Sequence, residues 1–302
     1  MQRSFAPRRL LPSLLPSLLA GAVIVSLAAC GDDSASSDQP VDPGETIAPP
    51  DPTSAPTTQA PPPTSAAGYE HPTGADDVVI EIRYEGGFVP PDFAFGQLPV
   101  LLVSGDGHQF VVGPQIEIYP QPLLPNVVVS DIGDAGIQTL LDLAAEHGLL
   151  TEREYERNDM IADAADTVVR ISANGETYEH RAYALGMDAD SEETGDRAEL
   201  AAFIAEATAG AATDDAIFEP ENYLVRATPI DDSVDAGYEV EPTLVEWPAD
   251  SEVVLADAAE CVELPADSVH ELFADANQLT FFVQDDVTYQ LTVKPQLPGD
   301  SC

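Results

Sequence analysis

The sequence predicts an α+β fold in which antiparallel hairpins pack with two or three short helices. The first observation is the dipeptide Asn174-Gly175, which lies between two runs of alternating apolar and polar residues. Both residue types tolerate a positive φ angle, so this pattern is a strong local indication of a β-hairpin. The second observation is that helical and strand patterns follow one another without regular βαβ alternation, which favours an antiparallel sheet.

Ten segments carry strand patterns. In the first, from Val78 to Tyr84, alternate residues are apolar, with a period of two. Gly105-Asp106-Gly107 separates two apolar runs, and Asp285-Asp286 separates the last two, so both are predicted to be hairpin turns. The predicted strands cover residues 78–84, 98–104, 108–112, 127–129, 167–172, 176–183, 223–227, 243–247, 279–284 and 287–293.

Three segments have apolar residues at helical spacing. The first helix is capped by Asp131 or Asp134 and ends at Gly148. The second covers residues 197–207, and Asp267 caps the third. The predicted core positions of these helices are Ile137, Leu140, Leu141 and Ala144, then Leu200, Phe203 and Ile204, then Val269, Leu272 and Phe273.

The N-terminal segment has the features of an export signal. A basic start (Arg3, Arg8 and Arg9) precedes an apolar run, and polar chain follows. The run ends at Leu27-Ala28-Ala29-Cys30, with small residues before a cysteine, which resembles the lipobox of bacterial lipoproteins. This resemblance implies that residues 1–29 are a signal peptide and that Cys30 is diacylated on sulfur and becomes the mature N-terminus.

Two alternatives to this interpretation remain open. Residues 10–29 have about the 20-residue length of a transmembrane helix, but Pro12 and Pro16 interrupt their first half. A plain secretory signal would instead leave Cys30 as an ordinary cysteine. The lipoprotein interpretation places the protein on the extracytoplasmic face of the cell membrane, with the lipid bilayer as a partner through acylated Cys30.

The charge of the chain disfavours two classes of partner. Removal of residues 1–29 takes away three of the 11 basic residues and none of the 54 acidic ones, which leaves a formal charge of −46. Such a charge repels phosphate backbones and anionic headgroups, so we expect no nucleic-acid binding and no electrostatic docking to membranes.

Composition also divides the chain after the signal. Residues 30–75 are rich in Pro, Ser and Thr and hold few large hydrophobic residues, which predicts a disordered tether. Residues 76–210 are predicted to form an α+β domain, and residues 211–302 a smaller α+β unit packed on the first.

Cys261 and Cys302 are the cysteines that remain after Cys30. In an oxidising compartment two cysteines allow a single pairing, and a terminal cysteine has little reason to be buried. We therefore expect a Cys261–Cys302 disulfide, and the alternative is two unrelated buried thiols.

The sequence contains no recognisable catalytic or metal-binding motif. Its five histidines lack metal-ligand spacing, and zinc-protease, nucleophile-elbow and phosphate-loop motifs are missing. His108 and His180 lie on predicted hairpins, where half-exposed surface histidines are expected. In residues 188–193 acidic side chains recur as they do in a calcium-binding loop. The segment lacks the glycine and the closing glutamate of an EF-hand, however, which favours a solvated acidic loop. We predict no catalytic residues, no metal site and no cofactor.

Several short motifs follow one another along residues 76–302. They are Gly86-Gly87-Phe88, Ser104-Gly105-Asp106-Gly107, Tyr119-Pro120 with Pro122, Gly136-Ile137-Gln138, Asn174-Gly175, Glu246-Trp247-Pro248, Ala276-Asn277 and the stretch from Lys294-Pro295 through Cys302. Together they resemble a domain of uncharacterised exported lipoproteins from GC-rich Gram-positive bacteria. This resemblance implies a fold and a location, but no activity.

Three functions fit these observations. The favoured one is a membrane-anchored, non-catalytic module that binds or scaffolds a protein or polymer at the cell surface. An envelope hydrolase with an unrecognised carboxylate site is an alternative, because carboxylates are too abundant for an acid pair to be identified by spacing. A solute-binding lipoprotein is another, although such a protein ordinarily has two α/β lobes and a longer chain.

Phe88, Phe93 and Tyr119 are the candidate binding residues, and they lie in or beside two proline-rich loops. Prolines stiffen a loop, so little entropy is lost when it is bound, and aromatic rings supply much of the energy at interfaces. The alternative is that these rings fold back and cover the sheet.

The lipobox predicts the effect of replacing its cysteine. Cys30→Ser removes the sulfur to be acylated, so the variant should stay a larger precursor that does not partition into detergent. Metabolic labelling with a fatty acid measures this, and Cys302→Ser serves as a control that should label like the wild type. Normal labelling of Cys30→Ser would show that the assignment is wrong.

Overall fold

The predicted α+β fold is confirmed by the computed structural model, which describes residues 68–157, 160–187, 193–212, 215–230, 240–249 and 251–302. In these residues the chain forms two β-sheets and four α-helices. The signal peptide 1–29, Cys30 and most of the predicted tether lie outside the described residues.

The first sheet has seven strands in the order β6-β5-β1-β2-β3-β4-β7, and every neighbouring pair is antiparallel. Its strands are β1 (Val78–Gly86), β2 (Leu101–Ser104), β3 (His108–Val112), β4 (Val127–Asp131), β5 (Ala165–Ala173), β6 (Glu176–Tyr183) and β7 (Ala216–Ile217). Because β7 belongs to this sheet, the chain passes to the second sheet after Ile217 rather than at residue 210.

The second sheet has five strands in the order β10-β8-β12-β11-β9. They are β8 (Asn222–Ile230), β9 (Thr243–Glu246), β10 (Val262–Pro265), β11 (Thr280–Gln284) and β12 (Val287–Pro295). The expectation of a purely antiparallel sheet is wrong for β9, which pairs with β11 in parallel. The long connection between these two strands includes a helix, and parallel pairing requires a crossover of that kind.

The helices are α1 (Pro91–Gly96), α2 (Gly133–Glu146), α3 (Gly195–Ala209) and α4 (Ala266–Ala274), with a short 3-10 helix at Leu255–Ala258. Three of them lie where helices were predicted, but α4 begins at Ala266, so Asp267 lies within its first turn and does not cap it as expected. By contrast, α1 forms where a loop was expected. It has only six residues, too few to show a periodic pattern, and it begins with Pro91, whose fixed φ suits the first helical position.

The ends of α2 follow local side-chain chemistry. The Asp131 carboxylate accepts a hydrogen bond from the Gly133 N–H at 3.1 Å, whereas Asp134 bonds His71 instead. Gly148 has a φ of +68° just after the helix, as predicted for its terminating residue.

Both predicted two-residue turns are confirmed. Asn174 and Gly175 have φ angles of 55° and 79° between β5 and β6, and Asp285 and Asp286 have 52° and 63° between β11 and β12. Two successive positive φ angles match the right-handed twist of the flanking strands.

The main core lies between α2, α3 and one face of the first sheet. Ile80 and Ile82 of β1 belong to the same hydrophobic cluster as Leu141 of α2 and Phe203 of α3, and all four are buried. The second sheet has its own aromatic core, in which the rings of Trp247 and Phe273 lie about the ring of Phe282.

The opposite face of the first sheet has two parts. Over β2, β3 and β4 it is apolar and packs on Leu297 from the C-terminal tail. Over β6, β5 and β1 it carries arginines and carboxylates in ion pairs. One face of a single sheet is therefore divided between a second small core and a charged surface.

The folded region begins earlier than predicted. Residues 68–75, assigned to the tether, are bound to the first sheet and α2. The Tyr69 N–H and C=O both hydrogen-bond the side-chain amide of Gln138, and Glu70 exchanges hydrogen bonds with Asn174. The predicted tether boundary at residue 75 is therefore wrong. Its polar composition gave no sign of this docking, because Tyr69 is its one large apolar residue packed on the core and backbone hydrogen bonds supply much of the rest.

Besides the packing of Leu297, a disulfide and an ion pair help to hold the C-terminal tail. Cys261 and Cys302 form a disulfide with their Cα atoms 5.5 Å apart, as expected, and neither residue is buried. The Lys294 ammonium contacts the Asp300 carboxylate at 3.2 Å. Together these contacts hold residues 295–302 on the second sheet.

Removal of the disulfide should destabilise the protein through the unfolded state. The bond spans a sequence separation of 41 residues. In the chain-entropy model the double variant Cys261→Ser/Cys302→Ser should lose about 4 kcal/mol of unfolding free energy. Chemical denaturation measures this loss, with reduced wild type as the matched control. If both thiols of the unreduced native protein react with an alkylating agent, the pairing is wrong.

Candidate functional site

The three candidate binding residues are exposed. Phe88 is 89% exposed, and Phe93 and Tyr119 are each 56% exposed. The alternative that these rings cover the sheet is therefore wrong. Single exposed apolar side chains are normal on protein surfaces, so exposure alone does not identify a binding site, and the surroundings of each ring decide.

Phe88 and Phe93 do not share one surface feature. Phe88 lies in the loop after β1, where its N–H donates to the C=O of Asp163 at 3.1 Å. Phe93 lies on α1 and lines a groove that we call the amide groove, with a volume of 640 Å³. Tyr119 belongs to the loop of residues 113–125, other residues of which form one wall of that groove.

Backbone contacts position this loop. The Leu123 N–H donates to the Ala276 C=O at 3.1 Å, and the Gln278 N–H donates to the Gln121 C=O at 2.9 Å. These bonds join the loop between β3 and β4 of the first sheet to the turn between α4 and β11 of the second sheet. The loop that carries Tyr119 is therefore held in place by backbone hydrogen bonds to that turn.

A charged contact positions α1. The Asp92 carboxylate lies 3.2 Å from Arg226 Nε and accepts a hydrogen bond from the Thr228 hydroxyl at 3.1 Å. Arg226 and Thr228 belong to β8. The helix α1 therefore connects two strands of the first sheet but packs against the second sheet. A Cβ on Gly96 would lie 3.0 Å from Thr292 of β12, which shows how closely the helix approaches.

Glutamines give the amide groove its chemistry. Four of them, at 97, 121, 278 and 290, have side-chain amides that make no hydrogen bond within the part of the chain that the structure describes. A fifth, Gln115, donates to the Asn126 C=O at 3.2 Å. Each free amide offers two N–H donors and a carbonyl acceptor. The floor between them is apolar, from Leu98, Leu123, Leu291 and Val293.

The amide groove is close to neutral. Among its lining residues in the described chain, Asp92 alone carries a charge, and that charge lies against Arg226. This is unusual in a protein with 54 acidic residues. The groove is therefore suited to an uncharged polar ligand that exchanges hydrogen bonds with amides.

The turn after β2 brings Ser104, Asp106 and His108 together without forming a catalytic triad. The Ser104 hydroxyl donates to Asp106 at 2.5 Å, and His108 Nδ1 lies 3.0 Å from the other carboxylate oxygen. Burial raises the pKa of Asp106, but hydrogen bonds from Ser104 and His108 outweigh it and lower that pKa below its ordinary value. The serine thus bonds a carboxylate rather than an imidazole base, so its nucleophilicity is not increased.

The charged part of the first sheet is a structural network. Arg170 contacts Glu81, Glu85 and Glu179 at 2.9 to 3.0 Å, and Arg181 bridges Glu85 and Glu179. Burial raises the pKa of Glu85, but its hydrogen bonds to Arg181 and Arg170 lower it overall. These pairs join β1, β5 and β6 across the sheet.

His180 is buried, contrary to the expectation of a half-exposed surface histidine. It bonds the Tyr155 hydroxyl and the Leu149 C=O, each at 2.8 Å, because the chain after α2 crosses that end of β6. Burial lowers the pKa of His180 and raises that of Tyr155 to about 12. Both groups are neutral at pH 7 and serve the fold.

Comparisons with known proteins identify no relative. No family model, curated protein or solved structure matches the chain, so the resemblance to exported lipoproteins stays a prediction. In the described residues no group of three or more His, Cys, Asp or Glu side chains could hold a metal ion. No helix of those residues is long and apolar enough to cross a membrane.

The exposed rings should contribute little to stability. Phe88→Ala and Tyr119→Ala should each change the free energy of unfolding by less than about 0.5 kcal/mol, as ordinary surface substitutions do. Phe203→Ala is the matched control, because Phe203 is fully buried and its loss should cost about 3–5 kcal/mol. Urea denaturation compares the three, and losses for both surface variants as large as the control's would place the rings in the core.

Proposed function

We propose that this protein is a lipid-anchored, non-catalytic binding module on the extracytoplasmic face of the cell membrane. The observation that carries the binding role is the amide groove with Phe93 on its wall. It combines an exposed aromatic ring, unpartnered amides and an apolar floor, the usual composition of a ligand site.

The anchor in this proposal is the acylated Cys30. The strongly acidic chain has no electrostatic attraction to anionic lipids, so attachment depends on the acyl chains. Two acyl chains are enough for stable attachment to a membrane, whereas a single acyl chain gives only reversible binding. The lipid bilayer is then one partner, and a protein or polymer of the cell surface is the other.

Two alternatives have less support. For a hydrolase, the turn at Ser104 directs its hydroxyl to a carboxylate, and the described part of the chain offers no Ser–His pair at that turn. For a solute-binding lipoprotein, two α/β lobes would be expected, whereas both sheets are antiparallel except for the β9–β11 pair.

Binding to isolated cell envelopes tests the proposal. Detergent-purified full-length protein should co-sediment with envelopes of the producing bacterium from which detergent has extracted the membrane lipid, with detergent kept present so that the acyl chains on Cys30 contribute no binding. Phe93→Ala should weaken this association about tenfold, since buried aromatic contacts dominate interface energies. Leu244→Ala is a matched control, because Leu244 is 61% exposed on β9 and outside the groove, and it should bind like wild type.

Two outcomes would contradict the proposal. If Phe93→Ala sediments like wild type, the groove is not the binding surface. If wild-type protein releases soluble fragments from the envelopes, the hydrolase alternative is correct instead.

A further inference from the structure

We infer that the amide groove binds a segment of a neutral polysaccharide. This inference rests on the proposed binding function and specifies its ligand class. Its support comes from the charge of the groove, the hydrogen-bonding groups on its walls, the position of Phe93 and the strands that form its floor.

Charge excludes polyanions from this site. The groove itself is close to neutral, but the rest of the chain is strongly acidic and repels phosphate, sulfate and uronate polymers from all sides. An uncharged polymer does not experience this repulsion. A cationic ligand would instead be attracted to the acidic surface outside the groove, where carboxylates are plentiful.

The wall chemistry matches hydroxyl groups. A sugar hydroxyl both donates and accepts a hydrogen bond, and a glutamine amide also does both. The amides of Gln97, Gln121, Gln278 and Gln290 come from four segments and have no partner in the described chain. Bonds to a ligand would therefore replace bonds to water without breaking contacts that hold the fold.

Phe93 supplies the apolar contact. One face of a hexose ring is lined by C–H groups, and an exposed aromatic ring can cover it. Phe93 is 56% exposed and borders the same groove as the free amides. A volume of 640 Å³ lies within the range of about 300–1,000 Å³ that is typical of organic ligand sites, so the groove has room for an oligosaccharide segment.

The strands beside the groove disfavour a peptide. β12 lies between β8 and β11, and β3 lies between β2 and β4, so neither strand has a free edge to which a peptide could add. Proline-rich peptides dock on several aromatic rings. In the described chain Phe93 is the one aromatic residue among those that line the groove.

Calorimetric titration of the purified full-length protein tests the inference. The probes are neutral oligosaccharides from a glucan, a mannan and a galactan, with oligoalginate as a charged counterpart and a proline-rich peptide as a competing class. The variants are Phe93→Ala and Gln278→Leu, with Phe88→Ala as the control, since its ring is exposed outside the groove. A thermal melt of each variant establishes that it is folded.

At least one neutral oligosaccharide should bind the wild type and Phe88→Ala equally. Phe93→Ala should weaken its binding about tenfold, and Gln278→Leu about threefold to tenfold, the range for one lost hydrogen bond. Oligoalginate should bind more weakly than the neutral probe or not at all.

Three results would overturn the inference. They are no binding of any neutral probe, binding that does not change in Phe93→Ala, or equal binding of oligoalginate. If no neutral probe binds, but the proline-rich peptide or the envelopes bind with a dependence on Phe93, the polysaccharide is wrong and the binding function stands. If envelopes also fail to bind, both proposals are wrong.

Discussion

The docking of α1 on the second sheet is the contact on which the rest of the arrangement depends. α1 connects β1 to β2 of the first sheet, yet its Asp92 forms an ion pair with Arg226 and accepts a hydrogen bond from Thr228, both of β8. The loop of residues 113–125 makes a second link of this kind through backbone hydrogen bonds near Gln278. The amide groove lies between these two links, so its shape is set by how the two sheets meet. A change at Asp92, which is itself a lining residue, would therefore alter both the shape of the groove and its charge.

The same contact illustrates how this chain uses its few basic residues. Arg83, Arg170 and Arg181 hold the charged face of the first sheet, and Arg226 holds α1. The other basic residues of the described chain also have partners: Arg153 with Asp196, Arg157 over the Tyr183 ring, Arg197 with Glu193 and Lys294 with Asp300. Because carboxylates greatly outnumber basic side chains, nearly every basic side chain has a carboxylate partner. The carboxylates that are left over make the surface acidic.

Features with a local cause could be predicted from the sequence. The Asn174-Gly175 and Asp285-Asp286 turns, the end of α2 at Gly148 and the Cys261–Cys302 pair each follow from residues that are adjacent or unique. For the loop aromatics the sequence left two alternatives open, and the structure shows the one in which the rings are exposed. In each case a few residues determine the geometry, whatever the rest of the chain does.

Features that depend on distant contacts could not be predicted in this way. The parallel pairing of β9 with β11 depends on a crossover, and His180 is buried by a segment 31 residues away in the sequence. The amide groove is the clearest case, because its glutamines come from α1's end, a loop, a turn and β12. Glutamines that are far apart in the sequence form no recognisable motif. Their amides come together only in the folded chain.

The contact between Lys294 and Asp300 has a practical consequence for anyone who seeks the binding partner. Lys294 is the only lysine in the chain, its side chain is 15% exposed, and its ammonium is held by a carboxylate. Amine-reactive crosslinkers and biotin esters will therefore label the folded domain poorly. Chemistry directed at carboxylates, or a photoreactive group placed by mutation at Tyr119 in the loop that forms one wall of the groove, is the better means of capture.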